Sequence, residues 1–150
     1  MRLAIDFLQF QPDLKVKKEG KQRFIFCVIR KKYLVLQPEE LVRQLTIQYL
    51  IAHRKYNRNS IHVERGLTVN GLYRRTDIIV YDENIEPYLL VECKRPKVKI
   101  TQAVFDQIAR YNLTLKVKYL LVTNGIDTFC CAMNYEAQAY RFLEAVPMGQ

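Results

Sequence analysis

The fold of this chain is decided by the segment Arg75-Thr-Asp-Ile-Ile-Val-Tyr81 and, after a five-residue loop, Pro87-Tyr-Leu-Leu-Val-Glu-Cys-Lys94. Both segments alternate with a period of two and are rich in β-branched and aromatic residues, a pattern that predicts two strands. The intervening loop, Asp82-Glu-Asn-Ile-Glu86, has the polar composition typical of a turn. The sequence therefore predicts an antiparallel hairpin.

The alternation in this hairpin predicts a register. One face would be apolar and buried, with three facing pairs: Ile78 with Val91, Val80 with Leu89, and Thr76 with Cys93. On the other face Asp77 would lie opposite Glu92, and Arg75 opposite Lys94. Directly facing side chains lie about 5 Å apart at Cβ, and like charges there are destabilising. Two facing carboxylates therefore need an explanation.

A divalent cation between Asp77 and Glu92 would explain the pair. Mg²⁺ takes one or two protein carboxylates and keeps water or substrate phosphate at its other positions. Lys94, two residues after Glu92, would lie on the same face. The alternative is that both acids are solvated on the open face of an edge hairpin. A register slip of one residue would exchange the faces, but it would bury all three charged groups.

Composition indicates a soluble globular protein. With 150 residues, of which 49% are apolar and 26% charged, one domain over residues 1–150 is expected. No apolar run approaches the roughly 20 residues of a membrane span, and the start of the sequence lacks the features of a signal peptide. The four cysteines show no CxxC spacing, so reduced thiols in a cytoplasmic protein are expected and a structural zinc site is not. His53 and His62 lie in no ligand-like cluster, which argues against a serine or cysteine triad.

The positive charge is concentrated in the first part of the chain. Residues 1–60 contain 13 Lys or Arg and 5 acids, whereas the remaining residues contain 11 and 10. Such a basic part indicates a polyanionic partner. Two apolar runs, Phe24–Ile29 and Tyr33–Leu36, predict a second hairpin with Arg30-Lys31-Lys32 at its tip. These cations are either a solvated turn or contacts to phosphate.

Two helices follow from local signals. Pro38 begins a helix that extends to about His53, and the acids after it complement the helix dipole. Glu40 either has only that role or supports a metal-bound water. Thr101 caps a second helix that extends to about Leu115, with Val104 and Ile108 on its apolar stripe. In this helix Gln107 and Tyr111, four residues apart, share a face.

The last part of the chain predicts further strands. Lys118–Thr123 is nearly continuous in apolar residues, as in a buried parallel strand reached through a helical crossover. Thr128–Met133 predicts a final strand, and the residues after it a short helix or an edge element.

These motifs resemble those of a known superfamily. Asp77, fourteen intervening residues and Glu92-Cys93-Lys94 are similar to the D…ExK core of PD-(D/E)xK nucleases. Gln107-x-x-x-Tyr111 resembles the QxxxY element of the RecB-like and type I restriction branches. The resemblance extends over about residues 24–130 and is greatest to the N-terminal nuclease domain of type I restriction enzyme R proteins, in the following segments: Gln37–Gln44, Val91–Lys94, Gln107–Asn112 and Val122–Gly125. One departure is Thr76, where the motif has proline before its aspartate.

The resemblance implies roles for individual residues. Asp77 and Glu92 would hold Mg²⁺ or Mn²⁺, with the Cys93 carbonyl as a further ligand and Glu40 acting through water. Lys94 would orient the attacking water or stabilise charge, and Gln107 and Tyr111 would position the substrate or Lys94. Phosphate contacts would come from basic residues in three segments of the chain: Arg30, Lys31, Lys32, Arg74, Arg75, Arg95 and Lys97.

The sequence thus predicts an α/β fold, a restriction-endonuclease-like mixed sheet flanked by helices with an N-terminal hairpin and helix. The implied function is metal-dependent hydrolysis of DNA phosphodiester bonds. Two alternatives are a structure-specific nuclease and a catalytically feeble DNA-binding module of a restriction or repair complex. DNA and other restriction or repair subunits are the expected partners, no membrane is expected, and a homodimer is left open.

Overall fold

A computed structural model describes residues 2–69 and 71–149, without the side chains of Leu67, Val69, Leu72 and Arg74. Two α-helices are present in these residues, α1 (Pro38–Ala52) and α2 (Gln102–Asn112). Short 3₁₀ segments occupy Phe7–Asp13, Arg58–Ser60 and Leu113–Leu115. The strands are β1 Val16–Glu19, β2 Gln22–Cys27, β3 Lys32–Val35, β4 Ile61–Val63, β5 Gly66–Val69, β6 Leu72–Arg75, β7 Ile78–Tyr81, β8 Pro87–Cys93, β9 Tyr119–Thr123, β10 Thr128–Asn134 and β11 Ala139–Phe142.

The largest sheet has six strands in the order β11-β10-β9-β8-β7-β4. Only β8 and β9 run parallel among these pairs of described strands, and α2 lies between them in the chain, as a parallel crossover requires. The α/β class, the mixed sheet and the parallel strand reached through a helix are therefore confirmed. The last element is the edge strand β11, so the prediction of an edge element after Met133 is also confirmed.

The predicted hairpin is present at the centre of this sheet. Ile78 pairs with Val91 and Val80 pairs with Leu89, as expected. Its first strand is shorter than predicted and begins at Ile78. Thr76 does not extend it, because the backbone N–H and the hydroxyl of Thr76 both donate to the carbonyl of Arg65, each at 3.0 Å.

The expected pairing of Arg75 with Lys94 was wrong. Arg75 is the last residue of β6 and pairs with Gly66 of β5 in a separate two-stranded sheet. Its guanidinium donates to Glu64 at 3.2 Å. The alternation that looked like one long strand belongs to two strands in different sheets, since the chain turns at Thr76 and Asp77.

Both faces of the central hairpin are covered. On one face Val42, Leu45 and Leu50 of α1 join a core that includes Val80 and Leu89. On the other face Phe105 and Ala109 of α2 join a core with Ile79, Leu90 and Val122. Ile79 and Leu90 are at most 1% exposed. The interpretation of an edge hairpin with an open face is therefore wrong, because α2 covers that face.

A three-stranded sheet, β1-β2-β3, precedes α1. The predicted hairpin is its β2–β3 pair, but β2 ends at Cys27 and not at Ile29. The turn forms early because the N–H of Lys31 donates to the carbonyl of Cys27 at 2.7 Å. Ile25 and Cys27 are fully buried. Neither described helix is long and apolar enough to cross a membrane.

Candidate active site

Asp77 lies immediately before β7 and bridges two elements. Its Oδ2 accepts a hydrogen bond from the backbone N–H of Cys93 at 2.8 Å. Its Oδ1 accepts one from the guanidinium of Arg43 in α1 at 3.1 Å. The side chain is 24% exposed. The carboxylate of Asp77 therefore reaches β8 at the residue between Glu92 and Lys94.

Glu92 and Lys94 lie at the end of β8. The Lys94 ammonium is 3.6 Å from Glu92 Oε2, and Asn112 of α2 donates to Glu92 Oε1 at 3.4 Å. The backbone N–H of Lys94 donates to the carbonyl of Thr123 at 2.8 Å, which ties this end of β8 to β9. Both side chains are partly exposed, so they can contact a solute.

An open cleft of about 440 Å³ lies between the end of β8 and α2. Four predicted site residues line it together with apolar side chains: Glu92, Lys94, Gln107 and Tyr111, with Val98, Val104 and Ile108. Val104 and Ile108 were expected to face the core. The helix buries Phe105, Ala109 and Asn112 most fully, whereas Ile108 is partly buried and packs against the same core. The apolar stripe is rotated by one residue, so Gln107 and Tyr111 face the cleft.

The two carboxylates of the predicted metal pair have contacts on different sides of the sheet. Asp77 bonds to Arg43 of α1, whereas Glu92 bonds to Asn112 of α2. Asp77 does not line the cleft that Glu92 lines. Each is nevertheless the residue next to the Ile78–Val91 pair on its own strand, so their backbones are neighbours.

Arg43 connects Asp77 to a cluster of buried and partly buried charges. It donates to Glu40 and Asp77 and lies 3.6 Å from Glu64. Its side chain is only 6% exposed. Burial alone would lower the pKa of the Arg43 guanidinium, but the carboxylates of Glu40 and Asp77 outweigh this effect and raise it. Arg43 therefore stays charged and compensates the acids around it.

Glu40 belongs to the same cluster. Arg30 and Gln44 both donate to its Oε2, at 2.8 and 2.9 Å, and Arg43 donates to Oε1. Glu40 is in the first turn of α1, as the dipole interpretation requires, and is 8% exposed. Both of its oxygens have protein partners. Its main structural role is to hold Arg30 and Arg43.

Some of the cations predicted to contact phosphate are bound to carboxylates of the protein, and others are exposed. Arg30 is largely buried, and its guanidinium bonds to Glu40 and Glu64, so it stabilises the fold. Arg75 is exposed but also bonds to Glu64. Four others are exposed: Lys31, Lys32, Arg95 and Lys97. The side chain of Arg74 lies outside the described part of the structure.

Arg95 and Lys97 follow directly after β8, in a loop that is held in place. The carbonyl of Val98 accepts a hydrogen bond from the amide of Asn124 at 2.8 Å. The N–H of Val98 donates back to the carbonyl of Arg95 at 3.0 Å. These two contacts keep the cations of the loop next to the cleft.

The thiol of Cys93 is not a candidate for chemistry. Burial, followed by the negative charge of Asp77, raises its pKa well above the usual value. The thiol is therefore protonated at neutral pH, and a protonated thiol is neither a nucleophile nor a good metal ligand. Only the backbone of Cys93 can contribute to a site.

Sequence reasoning missed Arg43, Glu64 and Asn112. Arg43 had a local signal, because it follows Glu40 by three residues and Glu39 by four, the spacing of contacts on a helix. Asn112 directly follows Tyr111 at the end of α2. Glu64 had none, since it meets Arg30 and Arg43 only through tertiary structure.

The residues fit a hard divalent cation in donor type. Among residues 2–69 and 71–149, no group of three or more His, Cys, Asp or Glu side chains could hold a metal ion. Mg²⁺ needs only one or two carboxylates, since water and phosphate complete its shell. Asp77 and Glu92 offer carboxylate oxygens, the donor type that such a cation prefers, and each carboxylate has about four lone-pair positions.

A family model described as the type I restriction enzyme R protein N terminus matches residues 38–147. The chain belongs to this family. The match begins at α1 and includes the six-stranded sheet, both carboxylates and α2, and it is consistent with a nuclease domain of this type. The family resemblance stated from the motifs is therefore confirmed. The matched region begins at residue 38 and not at the predicted residue 24, so β1–β3 lie outside it. It ends at residue 147, later than the predicted residue 130. A comparison with curated proteins found no match.

Proposed function

We propose that this member of the R protein N-terminal family is an endonuclease that hydrolyses DNA phosphodiester bonds with Mg²⁺ or Mn²⁺. One observation carries the proposal. Glu92, Lys94, Gln107 and Tyr111 line a single open cleft, and Asp77 bonds to the backbone of β8 between the first two of them. A carboxylate, an ammonium, an amide and a phenol around one cleft suit a phosphate ester better than a neutral substrate.

In this proposal Asp77, Glu92 and the carbonyl of Cys93 would hold the cation. When bound, the ion supplies a more acidic water and neutralises charge on the phosphoryl oxygens. Hydroxide or water from solvent can reach the phosphate because the cleft is open. The site requires no histidine, in accord with the placement of both histidines outside it.

Lys94 has the role of a fixed positive charge. Its ammonium lies beside Glu92 at the edge of the cleft, where it can stabilise negative charge that builds up on a bound phosphate. Gln107 and Tyr111 are exposed on α2, one turn apart, and can donate hydrogen bonds to phosphate oxygens. They position the substrate relative to Lys94.

The DNA backbone is bound by exposed cations near the cleft. Arg95 and Lys97 are the nearest in sequence to the site, and Lys31 and Lys32 at the β2–β3 turn are further exposed cations. Contacts of this kind carry affinity that falls steeply with salt and little sequence information. Restriction or repair subunits would then supply the choice of target site.

A second candidate function is DNA binding without cleavage. The observation that favours it is that both oxygens of Asp77 have hydrogen-bond donors from the protein itself, Arg43 and the backbone of Cys93. A metal must share the carboxylate with these donors. In that case the chain would contribute affinity to a larger complex and leave cleavage to another component.

Nicking of supercoiled plasmid with Mg²⁺ or Mn²⁺ separates the two functions. We expect cleavage by the wild-type protein, reduced roughly 10²–10³-fold in Asp77→Asn and in Lys94→Gln. Lys118→Gln is the matched control, because this exposed lysine precedes β9 at the end of the sheet away from Thr123 and Lys94. Cleavage that survives both site substitutions would discard the site.

Calorimetry without DNA provides an independent test of the metal. Titration of Mg²⁺ or Mn²⁺ should give a binding signal that weakens in Glu92→Gln and not in Lys118→Gln. Wild-type protein that binds DNA but shows neither metal binding nor nicking would favour the second candidate function.

A further inference from the structure

The three-stranded sheet presents aromatic side chains to solvent. Along β2, Ile25 and Cys27 point inward and are buried, whereas Phe24 and Phe26 alternate with them and are half-buried. Phe24 pairs with Lys17 of β1 and Val35 of β3, and Phe26 pairs with Tyr33 of β3. The N–H of Phe26 donates to the carbonyl of Lys15, so Lys15 lies beside Phe26. We call the resulting surface the outer face, and it consists of Lys15, Lys17, Phe24, Phe26, Tyr33 and Val35.

The outer face is partly exposed to solvent. Tyr33 is 38% exposed and Val35 is 41% exposed, although both are large and partly apolar. The rings of Phe26 and Tyr33 lie 5.2 Å apart at an angle of 65°. Polar residues at the outer-face positions would suffice if the only role of this sheet were to bury its inner face. Three neighbouring rings there form a partly exposed aromatic platform.

Lysines lie directly over these rings. The ammonium of Lys17 is 4.3 Å from the centroid of Tyr33 and 6.0 Å from that of Phe24. The ammonium of Lys15 is 5.6 Å from the centroid of Phe26. Such exposed cation–π contacts are weak and can be exchanged.

The surroundings are predominantly positive. Residues 15–35 contain eight Lys or Arg and a single acid, Glu19, which pairs with Lys17 at 3.0 Å. Lys31 and Lys32 are exposed at the β2–β3 turn, adjacent to Tyr33. The platform is therefore complementary to a polyanion.

We propose that the outer face binds a single strand of nucleic acid, with bases stacked on Phe24, Phe26 and Tyr33 and phosphates held by Lys15, Lys17 and the lysines of the turn. Single-strand binding proteins combine aromatic platforms with positive charge in this way. A duplex fits less well because the faces of its bases are already stacked on each other. An arriving base replaces the ammonium over each ring, and the released lysine contacts the phosphate beside that base.

This inference rests on the proposed function only in taking DNA as the polymer. The outer face lies before residue 38 and thus outside the residues that the family model matches. In this inference the outer face binds a single-stranded part of the DNA, and the cleft cleaves the duplex part. An acidic peptide is the main rival ligand, and it would need the lysines but not the rings.

The test measures binding of fluorescein-labelled oligodeoxythymidylate to the whole chain by anisotropy, in EDTA so that no cleavage occurs. We expect replacement of all three rings, Phe24→Leu with Phe26→Leu and Tyr33→Leu, to weaken binding roughly tenfold or more while the salt dependence stays the same. Tyr135→Leu, at a half-buried tyrosine in the turn after β10, is the control and should bind as the wild type does. Unchanged affinity in the triple variant would overturn the proposal.

Two further measurements remain decisive if the triple variant folds poorly. The chain has no tryptophan, so Tyr33→Trp introduces a single reporter whose emission should be quenched as the oligonucleotide stacks on it. Replacing Lys15 and Lys17 by Gln should reduce the slope of log affinity against log salt by about 1.4, the value for two phosphate contacts of a single strand. Absent quenching, or equal competition by a duplex or by polyglutamate, would contradict the inference. None of these readouts depends on cleavage. Binding to the outer face can therefore fail while plasmid nicking persists, and nicking can fail while this binding persists.

Discussion

Arg43 is the residue on which the acidic side of the site depends. Glu40, Glu64 and Asp77 converge on it. Glu40 lies in α1, Glu64 directly after β4, and Asp77 directly before β7. Charged groups taken out of water are tolerated when each has a partner, and removing one partner leaves an uncompensated charge. Arg43 therefore positions Asp77 and also makes its burial possible.

Arg43→Met should destabilise the protein by about 3 kcal/mol or more, because it leaves Glu40 and Asp77 partly buried without their counter-charge. Urea unfolding followed by circular dichroism measures this. Arg110→Met is the matched control, since the Arg110–Asp106 ion pair lies on the exposed side of α2, where we expect no measurable change. Equal stability of Arg43→Met and wild type would mean that the cluster is dispensable.

His62 should make stability depend on pH. Burial, with a contribution from Arg65, lowers its pKa from the usual 6.5. The unfolded chain then binds the proton more readily than the folded protein does, so stability is full above pH 6.5 and decreases as pH falls through the folded pKa.

The test compares urea midpoints of His62→Gln and wild type between about pH 8 and about pH 5. The variant should lose less stability on acidification, since it has no proton to bind. Arg65→Gln, which removes the guanidinium 2.6 Å from His62 Nδ1, should reduce the effect in part. A wild-type loss no greater than that of His62→Gln would refute the assignment.

At the scale of elements, α2 has two functions on two of its sides. Phe105 and Ala109 pack on the sheet, whereas Gln107, Ile108 and Tyr111 line the cleft. Asn112 links the two, because its amide donates both to the carbonyl of Ile108 at 2.8 Å and to Glu92. The geometry of one wall of the cleft therefore depends on whether α2 stays folded.

The N-cap of α2 provides a way to test that dependence. Thr101 Oγ1 accepts a hydrogen bond from the N–H of Val104 at 3.2 Å. Thr101→Ala should cost about 1 kcal/mol of stability and increase hydrogen exchange in the first turn of α2. Thr101→Ser keeps the hydroxyl and should behave like the wild type. The same exchange rates in both variants would show that the cap does not hold the helix.

At the scale of the whole molecule, the central hairpin is buried from both sides. Leu89 faces the core with α1, and Leu90, the next residue, faces the core with α2. The charged residues of the candidate site accordingly lie where the strands end, at Asp77, Glu92 and Lys94. The position of the candidate site at the end of the sheet is in keeping with this two-sided burial.

Leu89→Ala and Leu90→Ala should each destabilise the protein by about 2–5 kcal/mol, because each leaves a cavity in a different core. Leu8→Ala is the control, since Leu8 is 65% exposed. Denaturant midpoints provide the comparison. If Leu90→Ala were as mild as Leu8→Ala, the face under α2 would not be a packed core.

Local signals explain what could be predicted. The hairpin register, both helices and the parallel strand after α2 follow from periodicity, capping and apolar runs of neighbouring residues. The family motifs are also local in the sequence. Boundaries were less accurate, as at Thr76, where hydrogen bonds to Arg65 end one strand and the alternation continues unchanged.

The amino-acid sequence by itself determined the α/β class, the order of the elements and the membership of Asp77, Glu92, Lys94, Gln107 and Tyr111 in one set of motifs. Only the tertiary structure decided which of them share a cleft and which partner each charge has. Arg43 meets Glu64 and Asp77 across 21 and 34 positions of the chain. Contacts over such separations depend on how the layers pack, and no periodicity within a single element encodes them.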